Sequence, residues 1–213
     1  MTVQKLILNE EALAKLGLGE RAVYLIEYDL HSEQKIRKNL ISKEEKKQLI
    51  ERNKLAREFR NKLLFTLKFH LRATQHLESC WIIDESRLEL AIDELEQFKA
   101  EMSSKGFKNV DERLRIIPIL STVEGIQNYE DKKTEFLLDF AMEHIQYLEK
   151  AEKKRRIPNG TMWRCKKAYE IVSELMGELK GHKRYRELID TVEVLDHLIG
   201  KVETILKREK NLE

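Results

Sequence analysis

Proline is scarce in this chain: only Pro118 and Pro158 occur in 213 residues. Because proline removes a helix hydrogen bond and costs about 3 kcal/mol inside a helix, its rarity leaves room for long helices. Charged residues make up 37% of the chain, and apolar residues recur between them at spacings of three and four. This interleaving argues against disorder and predicts an all-α protein of long amphipathic helices, arranged as an elongated antiparallel bundle of coiled-coil hairpins.

Cysteine is equally scarce, with Cys80 and Cys165 far apart and outside any CxxC motif. We therefore expect neither a disulfide framework nor a zinc ribbon, but two free thiols in a reducing compartment, the cytoplasm. Glu10 and Glu11 interrupt the N-terminal residues before a signal-peptide core could form. No run approaches 18 uninterrupted apolar residues, so we predict no membrane helix.

Motifs of enzymes and cofactor sites are missing as well. The sequence contains no HExxH, GxxxxGK[ST], GxSxG or GxGxxG, and no histidine stands three residues after a glutamate. His76 and Cys80 would share one face of a predicted helix, with His70 nearby, but no second ligand pair matches them. We take them as a core histidine and a buried thiol, and predict no metal, no cofactor and no enzymatic activity.

The N-terminal region, residues 1–106, is predicted to centre on a long helical hairpin. Ser42 and Glu45 form a capping box, and no glycine or proline follows before Cys80, so a helix over about 43–80 is expected. Residues 81–84 read as a turn into a second helix over about 85–103, paired antiparallel with the first. Residues 22–30 contain good strand formers, but they also share a helix face and have no obvious partner strand, so we interpret them as helix.

Residues 107–120 are predicted to be an irregular linker whose apolar part crosses the bundles, followed by a three-helix antiparallel bundle over 121–213. The last helix carries the most regular apolar pattern in the chain, in alternating steps of three and four. The residues predicted to form its helix interface are Tyr185, Leu188, Val192, Leu195, Ile199, Val202 and Leu206.

Charge is distributed unevenly, because the span from Lys150 to Arg186 holds twelve basic and four acidic residues. Cations at the ends of helices are partly explained by the helix macrodipole, and a solvated or protein-docking face is the alternative to polyanion binding. The candidate polyanion-binding residues, in the segments 150–167 and 180–186, are Lys153, Lys154, Arg155, Arg156, Trp163, Arg164, Lys166, Lys167, Lys183, Arg184 and Arg186. Basic clusters with an aromatic side chain suit phosphate neutralisation and base stacking.

The acidic counterpart is the segment from Asp84 to Glu101. Glu89, Asp93 and Glu96 would share one helix face, outside the apolar stripe, and could resemble a metal or acid–base site. We expect them to be solvated, or to dock a basic surface of a neighbouring subunit.

These features together predict a non-enzymatic helical protein that acts by association. The expected partner is a second copy of the chain or another helical protein, because the long helices offer more lateral apolar surface than one chain easily covers. The alternative is binding of DNA or RNA by the basic residues. No membrane association is expected.

Overall fold

The computed structural model describes residues 23–30, 42–119, 123–154 and 160–210. The chain divides into two compact units, unit 1 (Met1–Val123) and unit 2 (Glu124–Glu213). Helices dominate, but a four-stranded antiparallel sheet lies in unit 1, so the protein is mixed α/β. The prediction of an all-α bundle is therefore wrong.

Unit 1 follows the element order β-α-β-β-α-β, with one short extra helix before the last strand. Its elements are β1 (Val23–Tyr28), α1 (Lys43–Phe65), β2 (Thr74–Leu77), β3 (Cys80–Asp84), α2 (Leu88–Ser104), α3 (Val110–Arg113) and β4 (Leu114–Ile119). The strand order across the sheet is β2-β3-β1-β4, with every neighbouring pair antiparallel. This sequence of elements is that of the ferredoxin-like, or split βαβ, arrangement.

One face of this sheet builds the core of unit 1. Ile26 lies opposite Trp81 on β3 and Ile116 on β4, and both Ile26 and Trp81 are completely buried. The helices contribute an aromatic cluster, in which the ring of Phe59 on α1 lies 5.4 Å from that of Phe98 on α2 and at a near-perpendicular angle. Such edge-to-face pairs add to the stabilisation from burial itself.

The first helix begins where the sequence predicts. The Ser42 side chain accepts a hydrogen bond from the Glu45 backbone N–H (3.2 Å), and the Glu45 carboxylate accepts one from the Ser42 N–H (2.7 Å). The capping box is thus confirmed. The predicted end of this helix is wrong, because α1 stops at Phe65 and continues only as a π-helical turn over Thr66–His70.

Three predicted segments of the N-terminal half need correction. Residues 22–30, interpreted as helix, contain β1; residues 74–84, assigned to the end of a helix and a turn, form the β2–β3 hairpin. The irregular linker over 107–120 contains α3 and β4. All four strands are runs of four to six residues, a length at which apolar periodicity does not separate helix from strand.

Unit 2 consists of three helices over its described residues. They are α4 (Val123–Lys154), α5 (Thr161–Met176) and α6 (Tyr185–Lys210), with a 3₁₀ turn at Gly177–Leu179. Lys133 near the start of α4 pairs with Glu178 after α5, so α4 and α5 run antiparallel, and Lys166 near the start of α5 pairs with Glu203 near the end of α6. The predicted domain limits at 106 and 121 stay a prediction.

Candidate functional site

The predicted polyanion-binding residues fall into two groups at opposite ends of α5. Lys153 and Lys154 close α4, and Trp163 opens α5, whereas Lys183 and Arg184 lie beyond its other end. A helix of 16 residues spans about 24 Å, so the two groups do not form one site. Arg155 and Arg156 lie outside the described residues.

Four of the predicted cations are engaged in ion pairs within unit 2. Glu203 and Glu170 pair with Lys166 and Lys167, Asp131 lies 3.4 Å from Lys183, and the Arg184 guanidinium donates to both oxygens of Glu187 at 2.7 and 2.9 Å. The charge available to a polyanion is therefore smaller than the sequence indicates. Lys153, Lys154, Arg164 and Arg186 form no ion pair with another described residue.

The group of basic residues where α4 ends and α5 begins remains the best candidate for a docking site. We define the basic aromatic surface as Tyr147, Lys150 and Lys154 on α4 together with Trp163 and Arg164 on α5. The three α4 residues follow the spacing i, i+3, i+7 and so share a helix face. The side chains of Tyr147 and Trp163 are 47% and 45% exposed, which is unusual for such large aromatic groups.

The two halves of this surface are held together by packing between α4 and α5. The buried thiol of Cys165 donates a weak hydrogen bond to the backbone carbonyl of His144 (Sγ–O 3.8 Å), one turn before Tyr147. The Tyr147 hydroxyl donates to the Glu143 carboxylate at 3.2 Å. The negative charge of Glu143, followed by burial, raises the pKa of Tyr147, and the positive charge of Arg164 opposes this rise.

A row of aromatic rings along α4, here called the aromatic ladder, leads to Tyr147. The rings of Phe136, Phe140, His144 and Tyr147 follow one another with centroid separations of 5.6, 4.6 and 6.0 Å. The Nδ1–H of buried His144 donates to the Phe140 carbonyl at 2.7 Å, which fixes its ring. The ladder thus connects the buried rings of Phe140 and His144 to Tyr147 at the helix surface.

The predicted helix interface on α6 lies mainly inside unit 2. Five of its seven residues, Leu188, Val192, Leu195, Ile199 and Val202, are buried, and Tyr185 and Leu206 at the two ends are partly exposed. In the described structure this stripe completes the bundle of its own chain. It leaves little apolar surface for a partner.

A histidine–aspartate pair at the other end of the bundle was not singled out by sequence. The Nε2–H of His182 donates to Asp131 at 2.7 Å, and Nδ1 of the same ring accepts the Arg184 backbone N–H at 3.2 Å. The hydrogen bond from His182, with help from Lys183, lowers the pKa of Asp131. Because both ring nitrogens are engaged in hydrogen bonds, this pair fastens the turn before α6 to α4.

A buried lysine lies beside that pair and was also missed. The side chain of Lys133 is only 2% exposed; its ammonium pairs with Glu178 and lies 5.3 Å from the centre of the Tyr129 ring. The sequence contains no signal for the burial of Lys133, because a buried lysine in a highly charged helix cannot be told from the exposed ones by its neighbours in sequence. An open groove of about 440 Å³ adjoins this region and is lined by Glu130, Glu178, Lys180 and His182, among others.

The residues considered for metal binding do not form a cluster. His76 lies at a bulge in β2, Cys80 lies on β3, and the helix that was expected to align them is absent. Glu89 and Asp93 are exposed on α2, as expected for a solvated face, and Glu96 is exposed but pairs with Lys99. Across residues 23–30, 42–119, 123–154 and 160–210, no three His, Cys, Asp or Glu side chains are grouped to hold a metal ion.

Comparisons with family models, with curated proteins and with solved structures found no match to this chain. The ferredoxin-like element order of unit 1 is compatible with many activities and identifies none of them. Of the helices described, none is both long enough and apolar enough to cross a membrane.

Proposed function

We propose that this protein is a non-enzymatic interaction protein that binds an acidic helical partner at the basic aromatic surface of unit 2. The observation that supports this proposal is the exposure of Tyr147 and Trp163 next to Lys150, Lys154 and Arg164. Tryptophan, tyrosine and arginine are the residue types that most often dominate the binding energy of protein interfaces.

The exposed tryptophan has an energetic cost that a partner would remove. A tryptophan side chain offers about 200 Å² of surface, so 45% exposure leaves about 90 Å² in water. At about 25 cal/mol per Å², covering this surface contributes about 2 kcal/mol to binding. This amount is typical of a single anchor residue rather than of a complete interface.

The charge of the surface favours an acidic partner. Lys150 and Lys154 are exposed, and Arg164 extends from the first turns of α5. The N-cap of α5 is Gly160, which provides no side-chain cap, and the first turn of this helix contains no acidic residue. The N-terminal end of this helix therefore carries a partial positive charge that attracts carboxylates. An amphipathic helix with glutamates flanking an apolar stripe matches both properties.

The fluorescence of Trp163 can be used to measure binding of a partner. The chain has two tryptophans, and Trp81 is completely buried in unit 1, so only Trp163 should be quenched by iodide in the native protein. A synthetic Glu-rich amphipathic helix is added at increasing concentration, with a Lys-rich helix of the same apolar pattern as the control peptide. We expect the acidic peptide alone to protect Trp163 from iodide, and we expect salt to weaken this effect.

Two variants test the source of the fluorescence signal and the role of charge in binding. Trp163→Phe should leave only the unquenched Trp81 signal, and Arg164→Glu should reduce affinity for the acidic peptide without changing the circular dichroism spectrum. If the acidic peptide gives no protection at about 1 mM, its binding free energy is weaker than about −4 kcal/mol and the proposal fails.

A second candidate is single-stranded nucleic acid, and the observation that favours it is again Trp163 among cations, where an unpaired base could stack. The internal ion pairs of Lys166 and Lys167 weigh against it. An oligonucleotide titration at about 50 and 200 mM salt tests it, with a slope of about −0.7 in log affinity per phosphate contacted by a single strand. Trp163→Ala should then weaken single strands more than duplexes, and no shift at the lower salt eliminates this candidate.

A further inference from the structure

The backbone hydrogen bonds of β1 fix which groups of β4 point outward. The Tyr28 N–H donates to Ser79 beyond β3, and the Asp29 N–H donates to Arg113 beyond β4, at 3.1 and 2.8 Å. Because hydrogen-bonding directions alternate along a strand, the odd-numbered residues of β1 bond to β4. With Leu25 opposite Ile117, the even-numbered residues of β4 direct their backbone groups away from the sheet.

This outer edge is poorly suited to accept another strand. Pro118 has no N–H, and the Leu114 N–H donates to the Val110 carbonyl at the end of α3. At most Ile116 retains a donor for an added strand. Proline on an edge strand is a common protection against edge-to-edge pairing, so an association at this side of unit 1 must use the face of the sheet.

The face opposite the core carries a row of aliphatic side chains across three strands. Ile82, Leu25 and Ile117 lie side by side on β3, β1 and β4, and Thr74 on β2 extends the row. Exposure increases along it: Thr74 and Ile82 are buried, Leu25 is partly exposed, and Ile117 is 37% exposed. Val23, two residues before Leu25 on the same face of β1, is buried, so the open half of this face consists of β1 from Leu25 onward and the β4 residues opposite it.

The next row on the same open half is charged. Glu27 on β1 lies opposite Arg115 on β4, with 3.3 Å between the carboxylate and the guanidinium, and both side chains remain accessible to solvent. The open half thus pairs an apolar row with one acid and one base. The acid is on β1 and the base is on β4.

We infer that this half-face is a homodimer interface, in which a second copy packs face to face about a two-fold axis running along the strands between β1 and β4. That axis places Leu25 over the partner's Ile117 and Glu27 over the partner's Arg115. Apolar side chains of one copy therefore face apolar side chains of the other, and each charge faces an opposite charge. The interface is separate from the basic aromatic surface and does not depend on the function proposed for it.

Sedimentation of the full chain at increasing concentration is the first test, because the interface is small and we expect a weak dimer. Ile117→Asp should shift the chain to monomer. Leu77→Asp is the matched control, since Leu77 is 61% exposed on β2, outside the open half, and should leave the dimer unchanged.

Charge exchange tests the two-fold arrangement. Arg115→Glu places two carboxylates face to face and should weaken the dimer at least about tenfold, and Glu27→Arg should do the same with two cations. The double variant with both changes restores opposite charges and should recover affinity to within about threefold of the wild type. Because the exchange also restores the Glu27–Arg115 ion pair within each chain, thermal unfolding of each single variant is measured as well, to show that the monomer itself is intact.

Cross-linking measures the position of the axis. With strands about 4.8 Å apart and packed sheets about 10 Å apart, residue 117 lies about 11 Å from its symmetry mate and residue 77 about 26 Å from its own. In a Cys80→Ser background, Ile117→Cys should be linked by a short bismaleimide and Leu77→Cys should not. A chain that is monomeric at about 100 μM, where even a weak dimer would be visible, overturns the inference. So does a dimer that Ile117→Asp leaves intact, or equal cross-linking at both positions.

Discussion

The buried ion pair of unit 2 gives a prediction with an unusual sign. The Lys133 side chain is 2% exposed and its partner Glu178 is 35% exposed, so the loss of each partner should have a different effect on the free energy of unfolding. Glu178→Gln leaves a desolvated ammonium without its carboxylate. Lys133→Met removes the buried charge, keeps most of the aliphatic volume and leaves a carboxylate that water can reach.

The magnitudes follow from this asymmetry. Breaking a fully buried pair costs about 3–5 kcal/mol, and an exposed pair contributes about 0.2–1 kcal/mol, so we expect about 2–3 kcal/mol of destabilisation for Glu178→Gln. Lys133→Met should change the free energy of unfolding by less than about 1 kcal/mol, because the lost attraction is offset by the lost desolvation penalty. The double variant should therefore be more stable than Glu178→Gln alone.

Urea unfolding followed by Trp163 fluorescence in a Trp81→Phe background measures unit 2 without the signal of unit 1. A double-mutant cycle over the two substitutions then gives the coupling energy. Equal destabilisation by both single variants, or a double variant less stable than Glu178→Gln, would refute this reasoning.

Three further predictions concern single groups. Asp131→Asn should lower the stability of unit 2 at neutral pH. Because folding lowers the pKa of Asp131, the stability advantage of the wild type should be complete above about pH 4 and disappear as the pH falls through the pKa of Asp131 in the folded state. Acid unfolding curves of the two proteins measure this difference. Burial raises the pKa of Cys165 to about 11, so a disulfide reagent at about pH 8 should modify Cys80 first and Cys165 only after unfolding, as counted by mass spectrometry; rapid loss of both native thiols would contradict this. Pro118→Thr should return an outward N–H to β4 and speed aggregation measured by light scattering; an unchanged rate would show that Pro118 does not protect this edge.

The helices were largely predictable, because their signals are local. The capping box at Ser42 and the apolar stripe of the last helix can both be read from short windows of sequence. The strands could not be recognised this way. Leu25 is stabilised as part of β1 by Ile82 and Ile117, and no window around residue 25 contains either partner.

The candidate surface was predictable in composition but not in geometry. Trp163 and Arg164 could be proposed from sequence because they are cationic or aromatic residues in a basic segment. Tyr147 is an aromatic residue in an amphipathic helix, and its exposure depends on how α4 packs against α5. The ion pairs that neutralise Lys166 and Arg184 likewise depend on rotamers and on neighbouring helices.

The central position of β1 in the sheet has a consequence for the way the chain is made. Of the four strands of the sheet, β1 leaves the ribosome first. It pairs on one side with β4, whose residue Ile117 follows Leu25 by about 90 positions, a separation that favours slow folding. At a synthesis rate of about 5–20 residues per second, β1 waits several seconds for its last neighbour. Until β3 is made, about 60 positions after β1, residues Val23 to Ile26 have no strand to pair with, and their β4 side stays open for the rest of the interval. The local helix contacts of unit 2, in contrast, can form as soon as its helices are complete. The earliest segment of the sheet is therefore the last to be fully paired on both sides, and it is where a chaperone would have the longest opportunity to bind.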